Sequence, residues 1–285
     1  MLTRLLCAAL LSTAAARAQF TSAWLHDDAY WGDGKAEFNT YDARQVRYGQ
    51  PRESEVIHVL VREPFADREL VKAEPGTRGG TYPVIKLNQI LHIPTGLYVY
   101  QQMHSAFWRA DTGALVKATL TSNDSCGNTY KEFRALPGLR AIAGRAWRYE
   151  WRTYWEGMSA GDSTVRAASS AVFYDELPLR VRTLDFTADG TAEFPLAPSI
   201  IRSKKDDVTF ATARVKWTRS AAAILVEIVH PAGTDRFTLD PARPHLLREW
   251  QQADGGLLKL KRSLKIDYWN YNQPGGKERA LAQPQ

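Results

Sequence analysis

What most constrains this chain is a succession of short, alternating runs punctuated by turn residues. Residues 55–62 (EVIHVLVR) are rich in β-branched side chains and run out at Pro64, as a strand does. Residues 97–108 alternate over their whole length, and 115–122 and 129–133 follow with Asn123, Asp124 and Gly127 between them. Residues 146–155, 208–217, 223–229, 236–239 and 245–252 repeat the pattern, and Asp254-Gly255 reads as a hairpin turn into 257–268. In that last strand Leu258, Leu260, Leu264 and Ile266 are expected to face the core and Lys259, Lys261 and Lys265 the solvent, with Arg262 as the exception. Helical spacing occurs at residues 173–186 (FYDELPLRVRTLDF), interrupted by Pro178, which predicts one or two short helices. The fold class is therefore all-β: an antiparallel, strongly curved sheet, or an open barrel or sandwich.

The N-terminus carries a different signal. Arg4 precedes an apolar stretch, Leu5 to Ala16, and Ala16-Arg17-Ala18 has the small-x-small form of a cleavage site. This predicts a signal peptide over 1–18 and a periplasmic or secreted mature chain. The rest divides into one β-rich domain, 19–272, and a tail, 273–285, without an apolar period and expected to be disordered. No apolar run approaches the roughly 20 residues that cross a bilayer.

Charge and cysteine content narrow the function. Loss of Arg4 and Arg17 lowers Lys+Arg from 37 to 35 against 31 Asp+Glu, a net +4. The basic residues are interspersed with acids, as in Arg202, Lys204, Lys205, Asp206, Asp207, whereas a nucleic-acid binder gathers them on one face. Cys126 is left alone in the mature chain, so no internal disulfide staples it. It is expected as a buried, inert thiol at a strand end.

No spacing supports a metal site: the six histidines stand at 26, 58, 92, 104, 230 and 245, without His-x-His or HExxH. There is no Gly-x-Ser-x-Gly elbow and no phosphate-binding glycine loop, and no cofactor is implied. Two hydrolase arrangements stay open. Cys126 with His104 is one, and a carboxylate pair is the other, from Glu53/Glu55, Asp175/Glu176 or Asp206/Asp207. Each pair also fits a solvated turn or strand end.

Aromatic content is the distinctive feature, with nine tryptophans and twelve tyrosines. Alternation puts Tyr98, Tyr100, Gln102, His104 and Trp108 on one face of 97–108, and Leu97, Val99, Met103 and Phe107 on the other. The second set is expected to be core. Trp147, Tyr149 and Trp151 share a face of the 146–155 strand. These eight residues, Tyr98 to Trp108 and Trp147 to Trp151, are candidate walls of a cavity for a lipid, glycan or other amphipathic ligand. The alternative is a second core layer. A third reading is an interaction module whose aromatic strip packs on a protein partner.

Several segments carry a resemblance: WGDGKAEFNTYDARQVRYGQ, EVIHVLVREPF, GLYVYQQMHSAF, SNDSCGNTYKEF and YDELPLRVRTLDF, spread over residues 31–186. In Gly-Lys-Ala-Glu, Arg-Tyr-Gly, the Glu-Pro-Phe strand end and Cys-Gly the chain resembles a family of exported bacterial β-rich proteins. Some members bear the label "septum formation inhibitor"; the Ser-x-Ser-Pro-Arg phosphate loop of the nucleotide pyrophosphatases with that label is absent here. Members often have an aromatic residue before Cys-Gly, where this chain has Ser125. The resemblance implies a curved sheet around an apolar groove and assigns no catalytic residue. The leading expectation is a cell-envelope binding or structural protein without catalysis.

Overall fold

The computed structural model describes residues 20–136 and 144–283. The expected signal peptide lies outside the described residues. One large mixed sheet of sixteen strands, not closed into a barrel, makes up the molecule. In chain order the strands are β1 (Ala36–Arg47), β2 (Gln50–Ala66), β3 (Val71–Lys72), β4 (Thr81–Pro94), β5 (Val99–Arg109), β6 (Leu115–Asp124), β7 (Gly127–Ala135) and β8 (Arg145–Arg152). They continue with β9 (Ala160–Ala167), β10 (Val172–Phe173), β11 (Gly190–Ala197), β12 (Ala211–Arg219), β13 (Ile224–His230), β14 (Gly233–Leu239), β15 (Leu247–Gln251) and β16 (Leu257–Ile266).

The sheet is built as two meanders joined at one seam. β1 to β9 follow one another across it, with β3 a short ribbon on β2, and β11 to β16 do the same. β16 then pairs antiparallel with β1, Ala36 opposite Ile266. The two ends of the strand order, β9 and β10, are consecutive in the chain. Only residues 168–171 connect them, a reach of at most about 17 Å. The sheet therefore curls until its edges approach one another. β10 is the parallel exception, pairing with β11 through Val172–Leu196 and Phe173–Ala197.

The crossover from β10 to β11 fills the inside of the curl. Residues 171–184 are all buried except Tyr174, which is half-buried. They form a 3₁₀ turn (Tyr174–Glu176), a single-turn helix (Leu177–Arg180) and a second 3₁₀ turn (Val181–Thr183). Pro178 is tolerated because it sits in the first helical turn, where its missing N–H has no partner to lose. Apolar side chains of this plug divide between two cores. Leu177, Val181 and Leu184 pack with Tyr41, Phe194, Val226, Phe237 and Trp250. Phe173 and Leu179 pack with Trp24, Trp108, Phe133, Trp147 and Tyr149.

Polar side chains of the plug are paired with the sheet. Arg182 donates to both Glu37 oxygens at 2.8 and 2.7 Å. Glu176 accepts from Phe173 N at 2.9 Å and from Arg180 Nε at 3.0 Å, and takes a short bond from the Trp108 indole. Asp175 accepts from Ser199 Oγ at 2.6 Å and Ile200 N at 2.7 Å. Asp175 and Glu176 are thus among the most buried groups in the protein. Asp206 is buried too, against Lys131 Nζ at 2.5 Å. The solvated-turn reading of these carboxylates is corrected; Glu53, Glu55 and Asp207 are exposed as that reading has them.

Three further expectations change. On β5 the Leu97/Val99/Met103 side is outside, with Leu97 and Val99 exposed and Met103 at 38%, while Tyr100, Gln102, His104 and Trp108 are buried inside the curl. Period 2 sorts residues into faces but does not say which face is inward. On β16 the register with β1 shifts between Tyr41–Leu260 and Thr40–Arg262, leaving Lys261 as an extra residue. Leu258 and Leu260 therefore join the inner core. Leu264 and Ile266 pair instead with Phe38 and Ala36, on the outer face where Ala36, Phe38, Val59, Val61 and Tyr268 cluster. Lys265 turns inward over Tyr30 and Trp31, 4.4 and 4.8 Å from their ring centres, and pairs with Asp33 at 3.1 Å. Lastly, the C-terminal segment 273–285, expected to be disordered, carries a helix, Gly276–Leu281, and Arg262 Nη2 donates to Gln283 O at 2.8 Å.

Candidate functional site

At one end of the curl the hairpin turns β1–β2 and β6–β7 and the loop after β8 surround an open cleft of about 530 Å³. Its walls come from Arg47, Tyr48, Tyr100, Cys126, Tyr154, Trp155 and Lys204. Tyr48 is set by backbone geometry. Tyr48 and Gly49 both have positive φ, 54° and 70°, as a two-residue turn whose twist matches the flanking strands requires. That turn brings the Tyr48 hydroxyl within 2.6 Å of Tyr100 Oη and 2.9 Å of Tyr98 Oη. Opposite, Tyr154 lies flat on the bare backbone of Gly127, where an added Cβ would come within 2.5 Å of Tyr154 Cγ. Cys126 stands next to it, its N–H donating to Asp124 Oδ1 at 2.7 Å in an Asx turn, its side chain exposed. The expectation of a buried thiol is corrected: the residue occupies the tip of a hairpin.

Aromatic rings and cations alternate around this rim. Lys204 Nζ sits 4.2 Å from the Trp155 ring centre, Lys205 Nζ 4.8 Å from Trp151, and the Arg47 guanidinium 5.2 Å from Tyr100. Tyr48, Tyr154 and Trp155 remain 64, 73 and 39% exposed. Solvated rings at this density are unusual on a protein surface unless something covers them.

Below the cleft lies a second, smaller space. A chamber of about 110 Å³ is lined by Arg47, His58, Gln89, Tyr174, Asp175, Ser199, Trp250, Gln252 and Asp254 among others. Arg47 lines both spaces. A strap of irregular chain runs between them, pinned by Thr129 Oγ1 to Ser203 O at 2.7 Å and Lys131 Nζ to Ile200 O at 3.0 Å. Its Ser199 and Ile201 face the chamber, its Arg202, Ser203 and Lys204 the cleft.

The chamber is polar and mixed in donors and acceptors. Arg47 Nη2 donates to Gln102 Oε1 at 2.5 Å, and Gln102 Nε2 to Ser122 Oγ at 3.0 Å. Gln89 Nε2 donates to Asp175 O at 2.7 Å and to His104 Nδ1 at 3.1 Å. Tyr174 Oη and Trp250 Nε1 both donate to Asp235 Oδ1, at 2.7 and 2.8 Å, and His230 Nε2 meets Asp235 Oδ2 at 2.5 Å. Two buried nitrogens, Arg47 Nε and His58 Nε2, have no partner among the described residues. Burial pushes His58 down to about 3 and His104 down to about 4, so both rings are neutral at pH 7. Burial raises Asp175 to about 6 against the hydrogen bonds from Ser199 and Ile200.

The eight sequence-derived wall residues all face the inside of the curl but fall into different settings. Trp108, Trp147 and Tyr149 belong to the packed core with Phe133 and Phe173, and Phe133 stacks on Tyr149 at 4.3 Å. Trp151 is half-buried beside that core. Tyr98 and Tyr100 reach the cleft rim through Tyr48. Gln102 and His104 join the buried polar network. His104 pairs with Leu120, four residues along β6 from Asp124, so it lies about 13 Å along the strand from the Cys126 turn. A nucleophile and base need hydrogen-bond contact, and Cys126 and His104 lack it.

Arg47, Tyr48, Tyr154 and His58 escaped the sequence reading as site residues, and Asp175 entered it only as half of a candidate carboxylate pair. The turn pair Tyr48-Gly49 was the available signal for one of them; Arg47 and His58 depend on which strand face turns inward, and Tyr154 and Asp175 on the loop after β8 and the plug. Among the described residues no group of three or more His, Cys, Asp or Glu side chains could hold a metal ion. None of the described helices is long and apolar enough to cross a membrane. No protein-family model, curated protein or solved structure matches this chain.

Proposed function

We propose that this is a binding protein of the bacterial cell envelope, holding an amphipathic ligand in the cleft at the open end of its curved sheet. The carrying observation is the rim itself: three exposed aromatic rings, Tyr48, Tyr154 and Trp155, around about 530 Å³ of open space with Arg47, Arg202 and Lys204 among its walls. Flat rings give contact area to an apolar body, and the cations favour an acidic group at its end. The leader expected over 1–18 directs the mature chain to the periplasm or outside the cell, where envelope amphiphiles are met.

A titration with a dansyl-labelled fatty acid, read by energy transfer from tryptophan, tests this. Saturable binding is expected, weakened about tenfold or more when Tyr154 and Trp155 are both changed to alanine; tenfold corresponds to about 1.4 kcal/mol. Both rings are exposed, so the double variant keeps its fold, checked by circular dichroism. Unchanged affinity in a folded double variant refutes the cleft as the site.

A further inference from the structure

The chamber beneath the cleft has a composition that selects a ligand chemistry. Its volume of about 110 Å³ corresponds to three or four liquid waters, room for a three-carbon polyol. It presents donors and acceptors together. Arg47 Nε and His58 Nε2 are buried without a partner, and His58 is 2% exposed. Gln45, Asp175, Gln252 and Asp254 line the same space, and the Asp175 carboxylate already accepts from Ser199 Oγ and Ile200 N.

A carboxylate ligand would satisfy Arg47 and His58 but would be set against Asp175 and Asp254. An ammonium ligand would suit the aspartates but meet Arg47. Hydroxyl groups, each both donor and acceptor, satisfy a mixed wall without adding charge. Tyr174 and Trp250, with ring centres 5.5 Å apart, line the same chamber and give the carbon skeleton of a polyol an aromatic floor. Arg47, shared by chamber and cleft, is placed for an acidic group between the two.

We infer that the chamber holds the polyol head of an amphiphile whose acidic linker lies at Arg47 and whose apolar chain lies against the cleft aromatics: a phosphoglycerol-headed, single-chain lipid. This rests on the cleft reading above and adds the headgroup to it. His58 Nε2 and Arg47 Nε take hydroxyl and phosphate oxygens, and Asp175 accepts from a hydroxyl.

The test compares two probes below their micelle concentrations by calorimetry: lysophosphatidylglycerol, and lysophosphatidic acid of the same chain length, which lacks the terminal glycerol. The expected result is at least tenfold tighter binding of lysophosphatidylglycerol by the unmodified protein. His58→Phe should abolish that preference by filling the chamber, so that the two probes bind within about twofold of one another. His58→Gln leaves the chamber open with a donor and an acceptor in it, and should keep most of the preference. Where the phenylalanine variant does not fold, His58→Leu, which removes both ring nitrogens without enlarging the side chain, should lose the preference in the same way, and a preference it retains overturns the assignment. Equal affinities in the unmodified protein overturn the headgroup assignment and leave the cleft reading standing. A preference that survives in a folded His58→Phe variant places the glycerol elsewhere and overturns it as well. Absence of saturable binding by either probe overturns the cleft reading and the headgroup with it.

Discussion

Arg182 and Glu37, 145 positions apart in the chain, form a two-pronged ion pair with side chains 2 and 1% exposed, binding the inner plug to β1. Burial pushes the Glu37 carboxyl upward. The facing Arg182 charge, its two hydrogen bonds, and those from Tyr30 and Asn39 outweigh it and hold the group below the ordinary carboxylate range. Replacing Arg182 by methionine leaves a buried, unpaired carboxylate, and a loss of about 3–5 kcal/mol is expected in urea unfolding at pH 7. The contribution of Glu37 is present above the unfolded carboxylate value of about 4.3 and is lost as pH falls through its depressed folded value. A variant as stable as the parent at pH 7 contradicts a paired plug.

Acid sensitivity between pH 6.5 and 4 is expected from the buried histidines. His58 and His104 are pushed down to about 3 and about 4, so on unfolding each takes up a proton once pH is below about 6.5. Stability is then full above pH 6.5 and falls as pH is lowered toward 4. Asp175, raised to about 6, acts oppositely between about 3.9 and 6, where the folded state holds the extra proton. Two histidines against one aspartate leave the net slope positive with pH. Urea midpoints measured at half-unit steps of pH should show it, and His104→Gln, which keeps a partner for Gln89, should flatten it.

Lys131 and Asp206 have fully buried side chains 2.5 Å apart. Burial lowers the lysine and raises the aspartate, each opposed by its partner's charge. Lys131→Met alone should destabilise by about 3–5 kcal/mol, and adding Asp206→Leu should recover only part of it, because two apolar groups replace a pair that is expensive to desolvate while Arg202 and the Tyr149 hydroxyl lose their bonds to Asp206. A double-mutant cycle by thermal unfolding reads the coupling. Additive losses would mean that Lys131 stabilises through its bond to Ile200 O rather than through the ion pair.

Cys126 is exposed on the cleft wall. Native protein should be alkylated by iodoacetamide at the rate of an unfolded control to within a few-fold, without loss of secondary structure, and bound amphiphile should slow the reaction. Protection equal to that of a core residue would contradict its place at the hairpin tip.

Much of the sheet was legible from alternation, because strands such as 223–229 carry apolar residues inward in the ordinary way, with Ile224, Val226 and Ile228 buried. β1 was not. Its inward positions include Glu37 and Asn39, polar because they meet Arg182 and one another on the plug, so the usual contrast between faces is absent. The same cause inverted the faces of β5: the interior here is lined by Gln102 and His104 as well as rings. The candidate site divides in the same way. Tyr98 and Tyr100 were readable from the alternation of residues 97–108, whereas Tyr48 was not read. The chamber was not, since it assembles His58 of β2, Gln89 of β4, Asp175 of the plug and Trp250 of β15, which only the curl brings together.

The seam between β1 and β16 carries a kinetic consequence. Along the strand order each antiparallel pairing except β1–β16 joins neighbours in the chain, apart from the short β3 ribbon, whereas Ala36 and Ile266 are 230 positions apart. Loop-closure entropy is therefore small for each meander and concentrated at one joint. Substitutions in the Phe38–Leu264 pairing should act on the rate at which the chain folds, and those inside either meander on the rate at which it comes apart.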